Sequence, residues 1–459
     1  MTGNRDHWAS RLGFVLAAAG SAVGLGNIWK FPYITGEYGG GLFVLIYLVC
    51  IALVGAPIMI AEVIIGRATQ CSPVGAFSQS PHLPRAWSLV GWMGVLTGFI
   101  ILSYYSVVAG WSMHYIWLSV SRAFIGLDSS QIGAIFGEVH GSAELNVFWH
   151  FAFMIVTTVI VMRGVSKGIE NASKILMPAL MALLVVLLVD AVFQPGFPKA
   201  LYFLFAPHAE KLSGAGIMEA LGHSFFTLSL GMGGMLTYGS YLSSNTDIVK
   251  SSLLVSLLDT VVALAACLVL FPIIFTVGMD SQSGPGLVFQ SIPIALMQIT
   301  GGYFLSIVFF ILLFFAALSS AISLLEVVTA TMIDQLGWAR AKAAVFAGVV
   351  VLVVGIPSAL SGVTGSVFNE RWASIFGKTF FDSFDWLASS VFLPLGGLCI
   401  TLYVGWVMPE NIRRNEFCQG SVFKSQYPIW LVFVRFIAPT GILLLFLFSL
   451  GILPKEWLT

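Results

Sequence analysis

Charged residues are scarce in this chain: Asp, Glu, Lys and Arg make up 9% of its 459 residues, against roughly 25% in soluble globular proteins. The 21 acidic and 21 basic side chains cancel, so the charge balance indicates no nucleic-acid partner. The five cysteines form no CxxC pair, so neither a metal cluster nor a disulfide framework is predicted. Hydrophobic residues make up 58% of the chain, and its mean hydropathy is +0.95. This composition is typical of a protein surrounded by lipid.

Catalytic motifs are also missing from the sequence. The three histidines inside apolar stretches, His114, His150 and His223, have no matching Ser or Cys motif. The first ten residues are polar and lack the usual form of a cleavable signal peptide, so we expect the first apolar stretch to be retained. The sequence therefore predicts a membrane protein that is not an enzyme.

Apolar stretches long enough to cross a bilayer recur along the whole chain. A membrane-spanning helix takes about 20 residues, and no soluble domain separates these stretches. Segment 284–299 is too short and too rich in proline for a span, so we expect an external hairpin or re-entrant piece there. The eleven predicted spans are 10–36, 40–66, 88–121, 146–163, 172–193, 217–242, 250–278, 302–335, 341–357, 384–407 and 428–452.

The positive charges predict how the chain is oriented. An odd number of spans puts the two termini on opposite sides of the membrane, and cytoplasmic loops carry an excess of Lys and Arg. With the N-terminus inside, thirteen of these residues fall on the cytoplasmic side and six on the outer side. We therefore expect a protein of the inner cell membrane with a cytoplasmic N-terminus and an external C-terminus.

Two predicted spans, the first and the sixth, carry glycines at their centres. Each glycine costs a helix about 1 kcal/mol relative to alanine, so a cluster marks a place where the helix can stop and restart. Close helix packing explains either cluster alone equally well. Their matching positions in two five-span halves favour paired broken helices, which expose carbonyls to a cation and amides to a carboxylate near the midplane. The glycines are Gly20, Gly24, Gly26, Gly231, Gly233 and Gly234.

Long motifs in these and neighbouring spans are similar to those of one family. They include GSAVGLGNIWKFP in the first span, RGVSKGIE at 163–170, FFTLSLGMG at 225–233 and LLFFAALSSAIS at 312–323. The chain resembles the neurotransmitter:sodium symporters of the LeuT type from about residue 5 to 452. The resemblance implies an all-α fold in one transmembrane domain, 1–459. Its parts are two inverted five-helix repeats, about 8–195 and 215–408, and one extra span at 428–452.

Sodium is the cofactor that the resemblance implies, in two sites. Asp259 supports this independently, because it lies ~15 Å into the seventh span, where a carboxylate needs a partner. A basic partner is the alternative, but no span is predicted to carry one at that depth. The first site takes Ala22, Asn27, Thr227 and Asp259, and the second takes Gly20, Val23, Ala316, Ser319 and Ser320.

Chloride is not expected to be required. Many relatives have asparagine at the position of Asp259, and some place a carboxylate at that of Ala263. By this resemblance we expect Asp259 to supply the negative charge that chloride-dependent relatives take from the anion.

The resemblance also implies a substrate site for a whole amino acid. Amine-carrying relatives have aspartate at the position of Gly24, where this chain leaves room for a substrate carboxylate. The side-chain pocket has no fixed charge, so neutral, mainly hydrophobic amino acids are expected. Ordinary core or lipid packing remains the alternative for Ile101 and Leu324. The predicted substrate residues are Ser21, Ala22, Gly24, Leu25, Gly26, Ile101, Tyr105, Phe226, Thr227, Ser229, Met232, Ser320, Ser323 and Leu324.

Two gates complete the prediction. By resemblance, Lys30 and Asp385 form an outer ion pair, although an exposed pair alone contributes only ~0–1 kcal/mol. The inner gate takes Arg5 and Asp334 with Trp8 and Tyr241. The predicted function is sodium-coupled symport of neutral L-amino acids by alternating access, in contact with the lipid bilayer and with no obligate protein partner. A non-transporting amino-acid sensor of the same fold is the alternative.

Overall fold

The computed structural model describes residues 6–78, 84–206, 212–279 and 286–453. Within these ranges every regular element is a helix. Nine uninterrupted helices there are long and apolar enough to cross a membrane: Gly41–Thr69, Ser88–Val120, Ala143–Met162, Val165–Phe193, Ile248–Thr276, Gly302–Leu336, Arg340–Ala359, Phe380–Val407 and Lys424–Ser449.

The first span is broken into two helices. Arg11–Ala22 and Gly26–Glu37 meet at an angle of 48°, around residues 23–25. Together they form a tenth membrane-crossing element, so the break occurs where the glycine cluster predicts it.

The sixth span is interrupted more severely. Gly214–Thr227 and Gly234–Gly239 are separated by residues 228–233, and neither half is long enough to cross a membrane. By helix length, the described residues therefore contain ten membrane-crossing elements, one fewer than the eleven predicted spans. Gly231 and Gly233 have φ of +79° and +74°, a conformation that L-residues with side chains adopt at a cost. These two glycines therefore allow the chain to leave the helix and restart it.

The remaining helices are short and connect the spans. Segment 284–299 contains one short helix from residue 287 onward, so it does not cross the membrane; its residues 284 and 285 lie outside the described ranges. The short helices are Pro73–Ser78, Arg85–Trp87, Ser129–Gly141, Phe197–Phe205, Leu287–Met297, Val367–Arg371, Trp372–Phe376 and Glu410–Cys418.

The third and eighth spans form the centre of the bundle. Ser88–Val120 and Gly302–Leu336 pack along each other, and 83% and 78% of their most apolar stretches are buried, against 28% for Lys424–Ser449. The first span packs against the eighth and the seventh, and the sixth packs against the second. Both helix breaks are therefore enclosed by protein, where their backbone groups can find partners.

Candidate functional site

The break in the first span is stabilised by side chains from the same region. The amide oxygen of Asn27 accepts a hydrogen bond from the backbone N–H of Gly24 at 2.9 Å. The backbone N–H of Leu25 donates to the hydroxyl of Tyr105 at 3.2 Å. Buried backbone groups freed from the helix are thus paired with polar side chains, as a break inside a membrane requires.

The break in the sixth span is held by a buried carboxylate of the second span. Glu62 accepts hydrogen bonds from the backbone N–H groups of Gly231 at 2.7 Å and Leu236 at 3.3 Å. Its side chain is fully buried. The carboxylate therefore satisfies one amide within the break and one in the first turn of the half-helix that follows it.

Asp259 lies at the centre of one polar cluster between the two breaks. Its Oδ1 accepts the side-chain N–H of Asn27 at 2.7 Å and the hydroxyl of Thr227 at 2.9 Å. Its Oδ2 accepts the hydroxyl of Tyr47 at 3.3 Å. The structure thus brings together the three side chains predicted for the first sodium site, and Asp259 has no basic partner within the described residues. The oxygens gathered here are the ligand type that hard cations prefer.

The residues predicted for the second sodium site also meet. The hydroxyl of Ser319 lies 3.0 Å from the carbonyl of Ala316 and 3.4 Å from that of Val23. The hydroxyl of Ser320 lies 3.3 Å from the carbonyls of both Gly20 and Val23. Two hydroxyls and three carbonyls therefore share one small region between the first and eighth spans.

A cavity lies between the breaks and adjoins both polar clusters. Its volume is about 20 Å³, enough for one water-sized sphere, so an amino acid fits only if the lining side chains shift. Ser323 is behind this lining, where its hydroxyl accepts a hydrogen bond from that of Ser21 at 2.7 Å. Every other predicted substrate residue lines the cavity: Ser21, Ala22, Gly24, Leu25, Gly26, Ile101, Tyr105, Phe226, Thr227, Ser229, Met232, Ser320 and Leu324.

Gly24 has no room for a larger residue. A Cβ atom at this position would lie 2.5 Å from the hydroxyl oxygen of Ser320 and 3.0 Å from that of Tyr105. Any side chain here would have to displace one of them. Glycine at this position therefore lets the hydroxyls of Ser320 and Tyr105 pack directly against the backbone of the break.

The end of the bundle near Lys30, here called the Lys30 face, carries an ion pair that differs from the prediction. Among the described residues, Lys30 pairs with Glu219 at 3.3 Å and not with Asp385, which accepts a hydrogen bond from Ser389 at 3.2 Å. The ammonium also lies 5.6 Å from the ring centre of Phe226. In this conformation the ammonium group of Lys30 therefore contacts Glu219 on the sixth span, and its predicted pairing with Asp385 stays a prediction.

The opposite end, here called the Trp8 face, is closed by the start of the chain. The backbone N–H of Trp8 donates to the carbonyl of Tyr241 at 3.2 Å, and their ring centres lie 6.1 Å apart. Asp334 accepts a hydrogen bond from the backbone N–H of Ser72 at 2.6 Å. Arg5, the other member of the predicted inner gate, lies outside the described residues.

A second carboxylate contributes to the Trp8 face. Glu326 accepts the hydroxyl of Tyr241 at 2.6 Å and two guanidinium N–H groups of Arg340 at 2.8 and 3.0 Å. Arg340 also pairs with Asp6 at 3.3 Å. The predicted inner gate does not include Arg340, because the sequence alone does not show that the start of the ninth span lies beside Tyr241.

The chain belongs to the family described as the Sodium:neurotransmitter symporter family, whose sequence model matches residues 5–126 and 134–457. It is similar to an uncharacterised sodium-dependent transporter of Bacillus subtilis, YhdH, with 39% identity over 449 residues that cover 97% of this chain and 98% of that one. An uncharacterised sodium-dependent transporter of Haemophilus influenzae is 32% identical over 458 residues, covering 97% and 98%.

A solved structure resembles the fold along almost the whole chain. The crystal structure of MhsT in complex with L-phenylalanine matches with a TM-score of 0.88 and 44% identity, covering 97% of this chain and 100% of that one. The predicted all-α LeuT-type fold is thereby confirmed. The chain is a sodium-dependent membrane transporter and not an enzyme.

Proposed function

We propose that this transporter carries neutral, mainly hydrophobic L-amino acids into the cell together with sodium, by alternating access. One observation supports this above the others: the cavity between the two breaks is lined by Leu25 and Gly26 of the broken first span and by Thr227, whose hydroxyl donates to Asp259. A zwitterion needs donors for its carboxylate and acceptors for its ammonium group, and this arrangement offers both.

The substrate carboxylate would lie at the break in the first span. The amides of Leu25 and Gly26 and the hydroxyl of Tyr105 would be its donors, once the hydrogen bond between Leu25 and Tyr105 opens. The ammonium group would use carbonyls of Ala22 and the end of the sixth-span half-helix. A half-helix N-terminus carries partial positive charge, so the carboxylate end is also favoured electrostatically.

The side-chain end of the cavity is apolar. Ile101, Met232, Phe226 and Leu324 line it, and no charged residue does. A charged substrate side chain would be buried without a partner, at a cost of several kcal/mol. Methionine adapts its shape readily, so Met232 gives room for side chains of different sizes. MhsT, with its bound L-phenylalanine, agrees with this substrate class.

Sodium would bind at both oxygen clusters. In the first, Asp259 would supply a charged oxygen ligand, and the substrate carboxylate would complete the set of ligands. In the second, the carbonyls of Gly20, Val23 and Ala316 act with the hydroxyls of Ser319 and Ser320. Because Asp259 supplies the negative charge, we propose that chloride is not required.

The two ends of the bundle would open in turn. A vestibule of about 240 Å³ lies over the cavity on the Lys30 face and is lined by Lys30, Asp385, Tyr105 and Phe226. The Trp8 face is sealed by the contacts with Tyr241. We therefore propose that the Lys30 face is external and the Trp8 face cytoplasmic, which agrees with the distribution of positive charge in an inner-membrane protein.

Sodium-driven accumulation separates a transporter of amino acids from a sensor of the same fold. Purified protein in proteoliposomes, with sodium outside and potassium inside, should concentrate radiolabelled leucine. Tryptophan should compete for this uptake, whereas lysine and glutamate should not. Binding of leucine without accumulation would support the sensor, and competition by lysine would contradict the proposed pocket.

A further inference from the structure

Arg435 is a charged side chain inside the eleventh span, and it lies outside the substrate cavity and both sodium clusters. It is ~16 Å along helix Lys424–Ser449 from the first residue, where a charge is costly unless it is paired. The helix begins on the Trp8 face, because Arg67 bridges Glu416, just before this helix, to Thr246 in the loop after the sixth span. Only 28% of the most apolar stretch of the helix is buried, so most of that stretch faces lipid.

The contacts of Arg435 use only one of its donors. Its Nε–H donates to the carbonyl of Gly405, in the last turn of the tenth span, at 2.7 Å. An arginine has five N–H donors, and no other hydrogen bond or ion pair joins Arg435 to the part of the chain that the structure describes. Its two terminal nitrogens are accessible at the protein surface. The charge of Arg435 is therefore left to be paired by a group outside the described residues.

Arg413 provides a comparison at the same end of the tenth span. It is almost completely buried, and its Nη1 donates to the carbonyls of Val404 at 2.7 Å and Gly405 at 3.1 Å. Its Nε donates to the hydroxyl of Tyr427 at 2.9 Å. A helix C-terminus favours a positive charge, and Arg413 alone supplies one. Arg435 adds a second positive charge that shares a single neutral acceptor, the carbonyl of Gly405, so capping the helix does not account for it.

An exposed aromatic surface lies beside the guanidinium group. Cζ of Arg435 is 5.1 Å from the ring centre of Trp406, and the ring of Phe436 lies edge-on to that of Trp406 at 5.6 Å. Trp406 is 57% exposed and Phe436 is 54% exposed, so both rings face away from the bundle. Leu402, one turn further into the membrane, is exposed as well. We call Trp406, Phe436 and Leu402 the Trp406 shelf; it places an apolar surface next to unused charged donors.

We propose that Arg435 binds the phosphate of an acidic phospholipid in the leaflet on the Trp8 face, with the acyl chains of the lipid against the Trp406 shelf. The planar guanidinium group matches two phosphate oxygens at once. A lipid is favoured over free phosphate because the site opens sideways from the bundle, beside an apolar surface. Arg414 and Lys424 are exposed at this end of the bundle, and their charges attract an acidic lipid. This binding site does not depend on what the protein transports.

Native mass spectrometry of the purified full-length protein in detergent tests the source of the phosphate. The protein is titrated with phosphatidylglycerol or phosphatidylcholine, and bound phosphatidylglycerol is challenged with inorganic phosphate. We expect phosphatidylglycerol to bind about tenfold more tightly than phosphatidylcholine, and an equal concentration of inorganic phosphate not to displace it. Equal affinity for the two lipids, or displacement by inorganic phosphate, would overturn the proposal.

Substitutions test the position of the site. Arg435→Gln removes the charge and should weaken phosphatidylglycerol binding about tenfold or more, with little change for phosphatidylcholine. The matched control, Arg122→Gln, removes a guanidinium group 5.4 Å from the ring centre of Tyr303, after the third span, and should bind as wild type does. Arg435→Lys keeps the charge but loses the planar fork, so it should bind with intermediate affinity and gives a second test if Arg435→Gln does not fold. Wild-type affinity in either Arg435 variant, or an equal loss in Arg122→Gln, would contradict the assignment.

Discussion

Replacing Asp259 by asparagine removes one negative charge from the proposed first sodium site and changes its size very little. Asp259 accepts hydrogen bonds from Asn27, Thr227 and Tyr47 at 2.7 to 3.3 Å. Interactions of a charged group contribute ~1.5–3 kcal/mol each, and 1.4 kcal/mol is a tenfold change in an equilibrium constant. Loss of the ion's charged ligand should therefore raise the sodium concentration for half-maximal uptake by about 10- to 100-fold.

The assay is radiolabelled leucine uptake in proteoliposomes, with sodium varied at constant ionic strength. The variant should reach measurable uptake only at high sodium concentration. Asp190→Asn is the matched control, since Asp190 lies in the last turn of the fifth span and accepts a hydrogen bond from the side chain of Gln194. The sodium dependence of this variant should equal that of wild type. A half-maximal sodium concentration for Asp259→Asn within twofold of wild type would refute the assignment of this carboxylate to sodium.

Three further predictions follow from the same site. Gly24→Ala should weaken leucine binding by about tenfold or more, because the new methyl group meets the hydroxyls of Ser320 and Tyr105. The control Gly137→Ala, whose new methyl group meets open space, should leave binding unchanged. Titration calorimetry measures the leucine affinity of both variants. Glu219→Gln should slow the dissociation of bound leucine, because Lys30 loses its present partner and is free to pair with Asp385 across the vestibule. An unchanged or faster release rate contradicts this. Replacing chloride by gluconate should leave uptake unchanged, and a strict chloride requirement would show that an anion other than a protein carboxylate completes the site.

The positions of the two helix breaks and of the polar cluster around Asp259 could be predicted from the sequence, for a physical reason. Glycines in a membrane span are costly unless the backbone must leave the helix, so Gly231 and Gly233 mark the break itself. A carboxylate deep in a span needs partners, so Asp259 marks the cluster. The long motifs then assign the other oxygens, and the structure brings these residues together. Their roles in binding remain proposals.

The partners of gate residues are harder to predict. Lys30 has two carboxylates within reach of its long side chain, Glu219 and Asp385, and which of them it contacts depends on the conformation of the bundle. Arg340 pairs with Asp6, which lies far away in the chain, and a single sequence contains no signal for that contact. The count of spans also differs by one, because the interruption of the sixth span leaves two halves that are each too short.

The most direct test of the account compares equilibrium binding of radiolabelled leucine to purified protein in two buffers of equal ionic strength, one with sodium and one with potassium as the cation. We expect saturable binding in sodium and almost none in potassium, since the cluster around Asp259 needs its ion before it can hold the substrate carboxylate. Equal affinity for leucine in the two buffers would contradict a sodium-completed binding site.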